Sequence, residues 1–173
     1  MIEIENTEDA VIIALGSNLK GAFASSQTLL ESALGQLPDF GMKIVGRSSW
    51  WRSAAWPAGN GPDFVNGVVL LRTPLTPEAL LRRLLDIENL FGRQRDLANG
   101  PRTLDLDLIA YGRLVRQSAE LVIPHPRAAD RYFVMAPLAQ VAPNWRHPVL
   151  HESAACLAVK ARIGRDAQAL LAA

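Results

Sequence analysis

Gly100-Pro101-Arg102-Thr103-Leu104-Asp105-Leu106-Asp107-Leu108-Ile109 sets two carboxylates two residues apart in an apolar run that reads as a β-strand. Side chains alternate across a strand, so Asp105 and Asp107 share one face while Leu104, Leu106 and Leu108 share the other. At a rise of ~3.3 Å per residue the two carboxylates start roughly 7 Å apart. Like charges held that close cost energy unless a positive charge lies between them. Hard cations such as Mg²⁺ bind through one or two carboxylates plus substrate phosphates, and Arg102 adds a fixed positive charge nearby. Taken alone, the pattern suits either a metal and polyphosphate site or the solvated face of a strand.

The strand belongs to a chain of 173 residues with a formal net charge of +1, enough for one domain with a real core and no demand for nucleic acid or an anionic membrane. Residues 10–173 are read as that single domain and the acidic residues 1–9 as an N-terminal extension without the apolar stretch of a signal peptide. No apolar run reaches the ~18 residues needed to span a bilayer. The single cysteine, Cys156, rules out an internal disulfide and points to a reducing cytoplasm. Its Ala-rich surroundings predict a buried, inert thiol.

Outward from residues 103–111, the remaining elements alternate. Ala10 to Leu15 reads AVIIAL, a buried strand ended by a Gly16-Ser17-Asn18 turn. Leu29, Leu30, Ala33, Leu34 and Leu37 recur at helical spacing over residues 25–37, with Pro38 marking the end. Residues 42–52 read as a second strand, 53–62 as a long Pro- and Gly-rich loop, and 64–72 as a third strand. Thr76-Pro77-Glu78 opens a helix with an N-cap, a first-turn proline and an acid at the positive end. Leu80, Leu84, Ile87 and Phe91 form its stripe. Gly112-Arg113 looks like a hairpin turn, 121–126 short and extended, 127–141 helical with an interruption at Pro137, and 152–171 a final helix. The order gives an α+β domain around a mainly antiparallel sheet.

Several chemical clusters fall on this frame. Glu88 lies on the edge of its helix's apolar stripe, as a boundary salt bridge, the favoured choice, or a buried acceptor. Arg93, Arg95 and Arg102 flank the loop leading to the carboxylates, placed to grip phosphate or to neutralise the acids. Phe64 is core or the floor of a slot for a flat ring, with Asn66 offering a donor and an acceptor. His125 stands between Pro124 and Pro126, ahead of Arg127 and Arg131-Tyr132-Phe133. The chain has neither a Gly-x-x-x-x-Gly-Lys loop nor Gly-x-Ser-x-Gly, and His125, His147 and His151 do not sit near the cysteine in a zinc pattern. Trp50, Trp51 and Trp145 are read as packing residues.

Five segments in order resemble the 6-hydroxymethyl-7,8-dihydropterin pyrophosphokinase family. They are Gly16-Ser17-Asn18-Leu19, Pro62-Asp63-Phe64-Val65-Asn66, the Gly100–Asp107 stretch, Pro124-His125-Pro126-Arg127 and Arg131-Tyr132-Phe133-Val134. The resemblance implies transfer of diphosphate from ATP to the pterin hydroxymethyl group, releasing AMP, in folate biosynthesis. It implies a ferredoxin-like α/β/α sandwich whose mobile loops, 53–62 and 92–102, close over the substrates. By the same resemblance, Asp105 and Asp107 hold two Mg²⁺ ions. Phe64 and Phe133 sandwich the pterin, Asn66 bonds its edge, and backbone near Ser53 and Trp56 completes the pocket. Glu88, Arg93, Arg95, Arg102, His125 and Arg131 line the ATP site, and Arg93, Arg102, Asp105 and Asp107 serve catalysis.

Departures from the family pattern fall at Ala98, Asn99, Leu85, Glu120 and Val122, all bearing on loop closure or ATP affinity. The alternatives are a non-catalytic ATP- and pterin-binding relative, and an RNA-binding ferredoxin-like domain. The acid pair and the near-neutral charge oppose the second. A monomer acting on small molecules, with no nucleic acid and no membrane, is the expectation.

Overall fold

A computed structural model describes residues 6–59, 61–92 and 103–171. The elements follow in the order β1 (Val11–Ser17), α1 (Ser26–Gln36), β2 (Lys43–Arg47), β3 (Trp51–Ser53), β4 (Phe64–Arg72), α2 (Pro77–Leu90), β5 (Asp105–Tyr111), β6 (Arg116–Gln117), β7 (Val122–Ile123), α3 (Tyr132–Val141), α4 (Ala154–Lys160) and β8 (Gln168–Ala169). The main sheet runs β5-β1-β4-β3-β8, with β2 also paired to β4, and its strand pairs are antiparallel.

Strand alternation divides the core into two layers. Val11, Ile13, Leu15, Val69, Leu71, Leu104, Leu106 and Leu108 face α1 and α2, where Leu30, Leu34, Leu80, Leu84 and Ile87 meet them. Ile12, Ala14, Val68, Leu70 and Ile109 face α3 and α4, packing on Met135, Leu138, Trp145 and Leu157. Helices on both faces of an antiparallel sheet make the α/β/α sandwich expected from the sequence. Both N-caps near the first layer form as the residue types dictate: the Ser25 and Thr76 hydroxyls accept the N–H of Thr28 and Ala79. Asp105 and Asp107 follow the strand alternation and lie on the α3 side.

The structure corrects several sequence expectations. Gly16 and Ser17 continue β1 instead of turning, because they pair with Asn66 and Val65 on one side and Gly16 pairs with Asp105 on the other. The single strand expected over 42–52 is two strands. At Ser48 the side chain takes over the pairing, its hydroxyl accepting the Val68 N–H, and Trp50 turns inward over Gly67. Gly112 does turn, with φ +54°, yet the strand after it, β6, pairs with β7 and not with β5. In the 127–141 region the break falls at Arg131, whose extended backbone separates a short 3₁₀ turn, Ala128–Asp130, from α3. Pro137 lies inside α3, where it removes one helical N–H.

The long C-terminal helix is also shorter than expected. α4 stops at Lys160, and the Arg165 guanidinium donates to the carbonyls of Ala158 and Ala161 at that end. Gly164 then takes φ +74°, and the chain returns to the sheet as β8. Cys156 is exposed on the outer side of α4 and not buried, since Ala154, Leu157 and Ala158 supply the inner face. Trp50 and Trp145 are packing residues as expected. The Trp50 indole N–H also donates to Glu31 at 2.7 Å.

Candidate active site

Register brings the site together. β5, β1 and β4 lie side by side, so Asp105 stands beside Gly16 and Gly16 beside Asn66, while Asp107 stands beside Ala14. Small residues in the middle strand leave open floor between the carboxylates and the amide. A Cβ on Gly16 would meet Asn66 Oδ1 at 3.3 Å and Phe64 Cδ1 at 3.6 Å. Ala14 is a site residue outside the motifs, and Gly16, part of the first motif, is a site residue to which they assign no role. The signal was the loss of bulk at the end of an otherwise large-residue strand.

Above this floor is a cavity of about 390 Å³, bordered by Ser53 and Trp56 from the loop after β3, by Phe64 and Asn66 at the start of β4, by Asp105 and Asp107, by His125 and Arg127, and by Arg131 and Phe133 at the start of α3. Nine of the sequence-predicted residues meet here: Ser53, Trp56, Phe64, Asn66, Asp105, Asp107, His125, Arg131 and Phe133. The pocket suits a flat polar ring at one end, with two phenyl rings, a buried amide and a loop tryptophan. At the other end two carboxylates face two arginines and an imidazole.

The amide end is fixed by hydrogen bonding. Asn66 and Ser53 are both buried, and Asn66 Nδ2 donates to Ser53 Oγ at 2.9 Å. That contact sets the amide's orientation. The Asn18 Nδ2 donates to the Pro62 carbonyl at 3.1 Å and ties the end of the Pro/Gly loop to β1.

The charged end is shaped by arginine. The Arg131 guanidinium lies 5.9 Å from the Phe133 ring centroid. Burial, reinforced by the positive charges of Arg131 and Arg127, pushes the His125 imidazole down to about 4, with Asp105 pulling the other way. His125 is therefore neutral at pH 7. Its Nδ1 accepts the Arg127 N–H at 3.2 Å, which leaves Nε2–H as the donor into the cavity.

Glu88 is placed differently from the other predicted residues. It is fully buried on the opposite side of β5, and its carboxylate accepts the Leu106 N–H at 2.8 Å. The buried-acceptor alternative thus holds, and the residue braces the strand between Asp105 and Asp107. Arg93, Arg95 and Arg102, with the departures Ala98 and Asn99, lie outside the described residues.

The chain is similar to known proteins over most of its length. Residues 12–143 match the family model described as 7,8-dihydro-6-hydroxymethylpterin-pyrophosphokinase. The chain is 44% identical over 138 residues to a 2-amino-4-hydroxy-6-hydroxymethyldihydropteridine pyrophosphokinase of Synechocystis, covering 79% of this chain and 68% of that protein. It is 41% identical to the enzyme of the same name from Pseudomonas aeruginosa, covering 80% and 83%. Some relatives are much longer: this chain spans 20% of the Pneumocystis carinii folic acid synthesis protein, at 37% identity. Among solved structures, Plasmodium falciparum HPPK-DHPS with pteroate superposes with a TM-score of 0.69 at 15% identity, over 87% of this chain and 44% of that one, a likeness of fold.

Proposed function

Because this chain belongs to the 7,8-dihydro-6-hydroxymethylpterin-pyrophosphokinase family, we propose that its cavity holds ATP and 6-hydroxymethyl-7,8-dihydropterin side by side and passes a diphosphate from the first to the second. The observation that carries the residue assignment is the row Asp105, Gly16, Asn66 across three adjacent strands, which sets an acid pair next to an aromatic slot within one cavity.

In this reading the pterin ring lies between Phe64 and Phe133, and the Asn66 amide, oriented by Ser53, bonds its polar edge. Trp56, 45% exposed at the rim, covers the mouth. The hydroxymethyl oxygen attacks the β-phosphorus of ATP. The new C–O–Pβ bond forms as the bond from Pβ to the α,β-bridging oxygen breaks, AMP leaves with that oxygen, and the hydroxyl proton passes to solvent. Such transfers run through loose transition states that need alignment and positive charge more than covalent help. Arg131 and the neutral His125 Nε2–H supply donors to phosphate oxygens from the described residues. Arg93, Arg95 and Arg102 are assigned to the same task, Arg93 and Arg102 at the reacting phosphates.

The donor set fits Mg²⁺. Two carboxylates share one strand face at the wall of the cavity. Mg²⁺ favours that pattern, taking its remaining ligands from phosphate and water. Asp105 and Asp107 would hold two such ions, which when bound neutralise charge on the polyphosphate. Glu88 serves the nucleotide site by fixing β5. Among the described residues no helix is long and apolar enough to cross a membrane. A monomer in the cytoplasm completes the reading, and a single cysteine fits that compartment.

Asp105→Ala and Asp107→Ala test the assignment. Each should abolish AMP formation while the circular-dichroism spectrum and the melting transition stay those of the parent. Near-parental turnover in either variant would remove the acid pair from the mechanism.

A further inference from the structure

Beyond residue 143, where the family match ends, the chain comes back to the wall of the cavity. Arg162 grips Asp130 through two bonds of 3.0 and 2.8 Å, and the Ile163 N–H donates to the Asp130 carbonyl at 2.9 Å. The Ile163 carbonyl accepts the Tyr132 N–H at 2.8 Å. Gly164, at φ +74°, lies flat against the Phe133 ring: a Cβ there would come within 3.1 Å of Cε1 and nearer still to Cδ1. The Arg165 guanidinium stacks over Tyr132 at 4.4 Å. Asp166 Oδ2 then accepts the Ala54 N–H at 2.6 Å, and β8 pairs along β3. Ala54 borders the cavity and follows Ser53, the partner of Asn66.

We propose that Gly164 and Asp166 are positioning residues for the pterin slot. Gly164 sets how far the Phe133 ring can recede, and Asp166 holds the end of β3 so that Ser53 meets Asn66. A flat ring stacked between two others needs contact at ~3.5–4.0 Å on both faces, and a gap of ~0.5–1 Å forfeits a quarter to a half of that attraction. The segment therefore tunes affinity for the flat substrate without itself lining the cavity. The inference rests on reading the aromatic end of the cavity as the pterin site.

Steady-state kinetics on Asp166→Ala, Asp166→Asn and Gly164→Ala test it, with Glu152→Ala as a control. Glu152 pairs with Lys160 on the same C-terminal region, outside the residues lining the cavity. D166A should raise the KM for the dihydropterin about three- to ten-fold, the loss expected when an exposed amide exchanges a carboxylate acceptor for water. The KM for ATP should stay within about two-fold, a difference too small to count as a lost contact. D166N keeps an acceptor oxygen and should recover most of the affinity, G164A should raise the pterin KM more than the KM for ATP, and E152A should change neither constant. If D166A does not fold, G164A carries the same test. An unchanged pterin KM in D166A and G164A, or equal rises in both KM values, would overturn the inference. A parent protein that releases no AMP with the dihydropterin would instead overturn the reading of the cavity itself.

Discussion

Replacing Glu88 by alanine should loosen the catalytic strand from behind. The carboxylate is fully buried and accepts the N–H of Leu106, the residue between Asp105 and Asp107. Its loss leaves that amide without its acceptor in the core, which costs about 1–3 kcal/mol. The truncated side chain leaves a cavity worth roughly 1 kcal/mol more. Together these come to about 2–4 kcal/mol. At about 2–4 °C per kcal/mol for a domain of this size, the melting temperature should fall by roughly 4–16 °C. A displacement of the acid pair by ~1 Å is enough to lower kcat by about 10²-fold. E88Q keeps an acceptor oxygen at the same place and should lose less than half as much on both measures. Differential scanning calorimetry and initial rates at saturating substrates read both effects. An E88A protein that melts within ~2 °C of the parent, below the shift for one kcal/mol, and turns over normally would refute the bracing role.

Other consequences are equally open to measurement. Asn66→Ala removes the amide that Ser53 orients and should raise the KM for the dihydropterin about ten-fold or more, with the KM for ATP unchanged; equal effects on both substrates would contradict the assignment. His125 is held at about 4 in the folded chain, below its ordinary ~6.5, so the unfolded chain binds the extra proton between those pH values and stability falls as pH drops through that window. The gap integrates to about 3 kcal/mol, and solvent screening of a partly exposed ring brings this to roughly 1–2 kcal/mol. With three histidines in the sequence, ring-proton NMR should find one midpoint near 4, and three midpoints above ~6 would contradict the burial argument. Gly67→Ala places a methyl 2.6 Å from the Trp50 ring. It should cost about 1–3 kcal/mol by overpacking, and an unshifted urea midpoint would show that the indole moves aside.

What the sequence made legible follows the range of the interaction that fixes each feature. The helix starts at Ser25 and Thr76 depend on residues within one turn, and both were readable. The shared face of Asp105 and Asp107 depends only on strand alternation. The strand break at Ser48 depends on Val68 and Gly67, about twenty residues away, and no local pattern announces it. The C-terminal segment departs from its expected helix for the same reason. Its alanine-rich composition favours a helix, yet Gly164, the Arg165 cap and pairing with β3 turn it back to the sheet. The burial of Glu88 behind β5 needed the sheet to be assembled first. The pocket's outline, by contrast, was carried by motifs at Phe64–Asn66 and Pro124–Phe133, and these converge as expected.

The central claim is most directly tested by AMP release from ATP and Mg²⁺, measured with and without 6-hydroxymethyl-7,8-dihydropterin. AMP should form only with the pterin present, together with a pterin diphosphate of matching mass. Saturable ATP binding with no AMP formed under either condition would contradict it and leave a non-catalytic relative on the same fold.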